Sequence, residues 1–418
     1  MDARRHLLGQ LRGERERIIE LTRQLVRIPS ENPPGDTTAV CDFVVGYLRQ
    51  HGVECEIVAP EPSMPNLIAH ADGAGLGKHL VLNAHFDVFP AGDRDAWTDD
   101  PFSGIVRDGK LYGRGANDMK AGAAAAILSF LYLHERREQW RGRLTLTLVS
   151  DEETFGPYGT RYLIENRPDV LGDVVLSGEP STPYFVRYAE KGPLWIELRV
   201  QTPGGHGGYP QISPNAIMVA GDVLRDLQAL SEIEIRASGA VLRSVEASRE
   251  RLEEVFGPGT VDALTHVTVN AGVIQGGDKV NMIAADCRVV VDIRTPVGAS
   301  TDEVLARIDE IVARHPGASY RIINRAESNA CTPDHELVDI IQRNAEVARG
   351  IRPLPSLGLG GTDCRLWRYR GIPAYVYGPT PYAMGAPDEY VLIDDLIATV
   401  EVHILSAFDY LTGEAGAH

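Results

Sequence analysis

The 418-residue chain reads as an α/β protein in which a larger layered domain is interrupted by a smaller inserted one. Three observations carry that prediction. Strand and helix patterns alternate from the N-terminus to about Pro180 and resume after Asp334. Between those stretches the order becomes strand, helix, strand, strand, helix, strand, the ferredoxin-like pattern. The side chains suited to chemistry in VLNAHFDVFP, SDEE and SGEP fall at or just beyond apolar strand runs, and GRGANDMKAG adds a tight turn before a helix. Open α/β sheets place their ligands at such strand ends.

Arg12–Ile28 reads as a helix through Ile18, Ile19, Leu21, Leu25 and Val26, ended by Pro29 and SENPPGD. Thr37–His51 is a second helix, and CEIVAP and NLIAHADG are strands. The apolar run Leu80–Ala84 ends in His85 and Asp87, which share a strand face. His85 can offer a ring nitrogen to a metal, and Asp87 can orient the ring from behind. Gly113, Gly115 and Ala116 free the backbone before Asp118, and Ala121–Leu133, rich in alanine and leucine, is a helix. Asp118 thus stands on a tight turn at a helix start. Arg143–Glu153 is an alternating strand that ends in Asp151, Glu152 and Glu153. A short helix begins at Arg161–Glu165, and Asp173–Pro180 is a buried strand ending in Glu179.

The character changes near Lys191. PLWIELRVQTPGGHGG is a strand with a glycine-rich end, and Asn215–Leu230 is a helix. Ser231–Ala263 is an insertion with a charged helix at Ser244–Phe256. HVTVNAGVIQGG and NMIAADCRVVVDIRTP are strands joined by a turn, Thr301–His315 is a helix and Ser319–Asn324 a last strand. Leu337–Arg349 is a helix, with Asp334–His335 as its N-terminal feature. GTDCRLW, GIPAYVYGP and a final helix Ile393–Leu411 follow. The expected division is 1–190 with 328–418, and 191–327.

The balance of 41 basic against 58 acidic residues, −17 overall, argues against nucleic acid and anionic membranes as partners. Five cysteines (Cys41, Cys55, Cys287, Cys331, Cys364), with no C-x-x-C pair, fit reduced thiols and a cytoplasmic location. The segment MDARRHLLGQLRGERER is a charged amphipathic helix pattern rather than a signal peptide. No apolar run approaches a membrane span.

Adjacent acids on a loop are usually only solvated. In SDEE they follow a strongly apolar strand that carries them to a sheet edge, where two neighbouring carboxylates can divide labour. One binds a metal, the other takes a proton from water. Glu179 supplies a further ligand. Imidazole and carboxylate donors without thiolate suit a catalytic zinc, cobalt or manganese site rather than a structural one.

In combination, HFDVFP, GRGANDMKAG, SDEE, SGEP, GGHGG and DIRTP resemble the co-catalytic zinc aminoacylases and exopeptidases that include acetylornithine deacetylase, succinyl-diaminopimelate desuccinylase and the glutamate-releasing carboxypeptidases. The likeness runs from the first helix to EYVLIDDL. It implies a three-layer zinc-exopeptidase-like catalytic domain with an inserted ferredoxin-like dimerisation domain, one or two zinc ions (cobalt or manganese in their place) and hydrolysis of an amide in a small N-acyl amino acid. By the same resemblance His85 and Glu179 bind one ion, Asp118 bridges and Glu153 binds the second. Glu152 is the general base and Asp87 holds His85. His206 reaches into the site of a homodimer partner to stabilise an oxyanion. Asn281 and Arg294 match substrate contacts; a strand-end ion pair is the other reading of Arg294. One departure stands out. The family's C-terminal histidine ligand falls at Gly385 or Met384 in GPTPYAMGAPDEYV. Asp363, Asp388, Glu389 and water are the candidates to replace it. A dipeptidase or carboxypeptidase uses the same chemistry. The missing histidine alone supports the remaining alternative, a non-catalytic small-molecule-binding homologue.

Overall fold

The computed structural model describes residue 7, residues 9–11 and residues 13–413. Most of the charged N-terminal segment and Arg12, where the sequence starts its first helix, lie outside the described residues. The chain divides into two compact units, Met1–Tyr188 with Cys331–Ser356 and Thr362–His418, and Ala189–Ala330 with Leu357–Gly361.

The first unit opens with helices α1 (Arg15–Val26) and α2 (Thr38–Gln50), then strands β1 (Glu56–Val58), β2 (Asn66–Asp72) and β3 (His79–His85). Helix α3 (Ala121–His134), β4 (Arg143–Val149), β5 (Val174–Ser177) and β6 (Phe185–Glu190) follow. The second unit contains β7 (Gly192–Gln201), α4 (Ala216–Leu227), α5 (Gly239–Phe256), β8 (Thr268–Gly276), β9 (Asp286–Thr295), α6 (Thr301–Ala313) and β10 (Ala318–Arg325). The chain then completes the first unit with α7 (Glu336–Arg349), α8 (Cys364–Arg368), β11 (Ala374–Val376) and α9 (Ile393–Thr412).

The sheet of the first unit runs β1-β2-β4-β3-β5-β11-β6. Its centre, β4, β3, β5 and β11, is parallel, and β1, β2 and β6 pair antiparallel. The central strands are buried almost end to end, as parallel strands covered on both faces must be. On one face, every residue of α3 from Ala121 to Leu133 is buried, the mark of a helix enclosed all round. On the other, Ile164 and Trp367 pack with Val81 and Val175. Each fully buried leucine, such as Leu82, contributes about 2 kcal/mol. The result is a three-layer core whose four parallel strands all end at one edge.

The sheet of the second unit runs β8-β9-β7-β10, antiparallel throughout, the ferredoxin-like order expected from the βαββαβ pattern. Leu194, Ile196, Leu198 and Val200 alternate along β7 and pack on Val223 of α4 and Ile308 of α6. The edge strand β8 is exposed along most of its length. A short antiparallel pair joins Gly205–His206 to Met282–Ile283.

Several boundaries differ from expectation, and two of the differences have plain local reasons. Helix α5 starts at Gly239 rather than Ser244, because Ser238 caps it by accepting from the Val241 N–H. Strand β4 stops at Val149 instead of reaching Glu153, because the chain turns at Asp151, whose φ is +66°. His335 caps α7 through Nδ1, which accepts from the Leu337 N–H. All five cysteines are free thiols.

Candidate active site

The parallel register decides what meets. His85 is paired with Val149 and Asn83 with Ser177, so the residues after β4 and β5 leave the sheet beside the end of β3. His85 Nε2 lies 3.3 Å from Asp118 Oδ1 and 3.4 Å from Glu179 Oε1. His85, Glu152 and Glu179 offer donor atoms within 4.8 Å of one another, and so do His85, Asp118 and Glu153. The structure thus brings together His85, Asp118, Glu152, Glu153 and Glu179.

The Asp118 turn is templated from far along the chain. Gly115 has φ +78°, and a Cβ there would collide with Val88, so this position requires glycine. The buried carboxylate of Glu389 accepts the backbone N–H groups of Asn117 and Asp118 at 3.0 and 3.3 Å and pairs with Arg114. Asp87 acts differently from its expected role. Its backbone carbonyl, not its carboxylate, accepts from His85 Nδ1 at 2.8 Å, with the nearest carboxylate oxygen 3.6 Å away. A carbonyl can only accept, so Nδ1 carries the hydrogen and Nε2 faces the carboxylates. The Asp87 carboxylate instead accepts the N–H groups of Glu152 (3.2 Å) and Glu153 (3.1 Å) and the side chain of Asn32 (2.9 Å). It therefore sets the turn that aims both glutamates.

The cluster is rich in negative charge. Burial, then the neighbouring Asp363, pushes the Glu152 carboxyl well up. Burial and Asp118 do the same to Glu153 and raise Glu179 to about 7. Burial opposes protonation of His85, but Glu179, Asp118 and Asp87 outweigh it and hold its pKa well above the ordinary imidazole value. His85 Nε2, Asp118 Oδ1 and Glu153 Oε1 are buried with no hydrogen-bond partner, a costly state unless a cation answers it. Ligands about 2.1 Å from a tetrahedral zinc stand about 3.4 Å apart. The separations around His85 Nε2 match that spacing, so the donors fit a divalent metal.

The other predicted residues have partners of their own, Asp363 and Glu389 beside the cluster and the rest away from it. Asp388 accepts from the backbone and hydroxyl of Thr98. Glu389 is committed to the Asp118 turn. Asp363 accepts from Thr160 at 2.6 Å and lies 3.9 Å from Arg365. Gly385 is left-handed, and its carbonyl accepts from Arg114. In the second unit, His206 is exposed with its ring tilted against that of Tyr209, and Asn281 accepts from the Gly207 N–H through its carbonyl. Arg294 is ion-paired with Asp292 at 2.8 Å. Sequence reasoning missed Asn32 and Arg365. Asn32 was visible only as part of a loop, and Arg365 only as a cation in GTDCRLW.

Imidazole and carboxylates gathered at the C-terminal edge of a parallel sheet, with a buried glutamate beside them, define a metal-dependent hydrolase. Residues 81–407 match Peptidase family M20/M25/M40, and the chain belongs to that family. It is 28% identical over 411 residues to a protein named succinyl-diaminopimelate desuccinylase 2 from Ruegeria sp. (strain TM1040), covering 95% of each chain. Its fold is shared with the M20 family metallo-carboxypeptidase Sso-CP2 from Sulfolobus solfataricus (TM-score 0.80, 16% identity, 94% of this chain and 99% of that one). It is also shared with the YXEP protein of Bacillus subtilis, described as a dinuclear metal-binding peptidase (TM-score 0.65, 16% identity, 97% and 100%). Among the described residues, no helix is long and apolar enough to cross a membrane.

Proposed function

We propose that this chain is a deacylase that hydrolyses the amide of a small N-acyl amino acid, with Glu152 as general base. The supporting observation is one buried glutamate held among the donors His85, Asp118, Glu153 and Glu179 at a single strand edge. A relative named as a desuccinylase supports the substrate class. We assign His85, Asp118 and Glu179 to one ion, and Asp118 and Glu153 to a second. Zinc is the metal we propose, with cobalt or manganese as substitutes suited to the same donors. When bound, such an ion polarises the scissile carbonyl and acidifies a water. Glu152 takes the proton of the attacking water and returns it to the leaving nitrogen. Asp87 fixes the turn that presents Glu152. Both donor groups found among the described residues draw on the same imidazole, His85, so the second ion is expected to be held more weakly than the first.

The test combines metal content per chain with amine release from a panel of N-acyl amino acids and dipeptides. Release from N-acyl amino acids supports the proposal, and release from dipeptides alone reassigns the chain as a dipeptidase. Tight binding without hydrolysis under any metal would make it a binding protein.

We further infer a cytoplasmic homodimer. Five free thiols support the compartment. The exposed edge of β8, with Val273 and Ile274 uncovered, supports the association. His206, exposed beside Asn281, is the residue we assign to oxyanion stabilisation across that dimer. Asn281 and Arg294 are assigned to substrate, Arg294 subject to release from Asp292.

A further inference from the structure

Glu152 meets a conflict that its assigned role does not resolve. Its carboxylate stands close enough to His85 and Glu179 to join them as a metal ligand, yet a base must keep its oxygen for a proton. The backbone of Glu152 is fixed through its N–H to Asp87, so which way the carboxylate faces is set by the partners of its side chain. Opposite stands Arg365, carried on α8 from the far end of the sequence. Its Nη1 donates to Glu152 Oε1 at 3.3 Å. Its guanidinium lies 4.3 Å from the centroid of the Phe155 ring, and its side chain is 3% exposed. Phe155 belongs to the same turn, since its N–H donates to the Glu152 carbonyl at 2.8 Å. The cation is therefore seated against the turn that carries the base. Arginine suits the position, because its planar group stacks on a ring and donates along a fixed direction at once.

We propose that Arg365 is a positioning residue that draws the Glu152 carboxylate away from the metal donors, keeping it a base instead of a further ligand. The inference rests on the proposed role of Glu152, but its central consequence, a change in coordination, does not require that role. Replacing Arg365 with methionine removes the pull while keeping bulk against Phe155. Glu152 then turns toward His85 and Glu179.

The experiment uses the full-length protein loaded with Co²⁺. In R365M the visible absorption of the ion is expected to shift toward a higher coordination number, and Co²⁺ is expected to dissociate several-fold more slowly. Turnover is expected to fall about 10²-fold, the scale of a misplaced catalytic group, with KM unchanged. R365K, which keeps the charge, is expected to recover part of the turnover and of the native spectrum, and it carries the same test if R365M does not fold. In an E152Q background, R365M is expected to leave the spectrum unchanged, because the effect acts through the carboxylate. Native absorption and dissociation in R365M, or a raised KM with unchanged kcat, would overturn the proposal; the second result would make Arg365 a substrate anchor. An active E152Q would instead remove the base assignment, a failure told apart by the spectrum of R365M.

Discussion

In the first unit, the strand ends gather acidic groups that burial has separated from water: Glu153, Glu179 and Asp118 crowd one imidazole, and Glu152 beside them meets the cation of Arg365. In the second unit the charges are answered locally. Glu197 pairs with Arg288 and Arg321, Arg199 with Asp286, and Arg294 with Asp292, while apolar Val273 and Ile274 face outward on β8. Each sheet thus keeps one feature that lowers its stability or its solubility, and the features are of opposite kinds. Buried, unanswered carboxylates make folding harder and are useful to a bound cation. An exposed apolar edge invites association. Chemistry thus belongs to the strand ends of the first unit, and association to the sheet edge of the second.

The sharpest way to break that contrast is at Glu152. In E152Q, turnover of the substrate found in the panel is expected to fall about 10²–10⁴-fold, while zinc content stays that of the parent. Loss of the metal as well would place Glu152 among the ligands. H206A in the second unit is expected to lower kcat about 10²-fold, the scale for losing an oxyanion donor, with KM moving far less. An unchanged kcat would leave the first unit alone responsible for the chemistry.

A smaller effect concerns stability without metal. Glu179 titrates near 7 in the folded chain against an ordinary 4.5. Between those pH values the folded state therefore binds more protons than the unfolded state, and stability falls as pH rises. For Glu179 alone the loss is on the order of 3 kcal/mol. Chelator-treated protein is expected to lose Tm steadily from pH 4.5 to 7, and the gap to zinc-loaded protein to widen over the same window, because protons compete with metal at low pH. Parallel Tm curves for the two forms, followed by calorimetry, would mean that the carboxylates are neutralised within the protein.

The chemistry of the first unit was legible because it is local. An apolar run followed by a polar residue marks a strand end, and His85, Glu152, Glu153 and Glu179 each sit just past such a run. Asp118 was legible through the glycines before it. The groups that hold these residues were not, since nothing near them in sequence announces the contact. Asn32 meets Asp87 across 55 residues, Arg365 meets Glu152 across 213, and Glu389 meets Asn117 across 272. The role of Asp87 was misjudged for a related reason. Proximity in a strand predicts that its side chain meets His85, but two N–H groups from the neighbouring strand's turn attract the carboxylate more strongly. In the second unit, alternation along β7 and β9 was legible, whereas the exposure of β8 follows from its place at the edge of the sheet.

That edge offers the last test. Ile274 is 55% exposed on β8, and burying such a side chain contributes about 1.5–3 kcal/mol. Two copies meeting along this edge would bury it twice. I274K replaces that gain with two like charges and is expected to weaken association at least tenfold, since about 1.4 kcal/mol is one decade. Light scattering across a dilution series reads the change, with metal content as the control for an intact first unit. If the dilute variant is monomeric and loses turnover to the same extent as H206A, His206 works from the partner. If it is monomeric and fully active, the apolar edge and the catalytic cluster serve independent ends, and His206 does not act from a partner subunit.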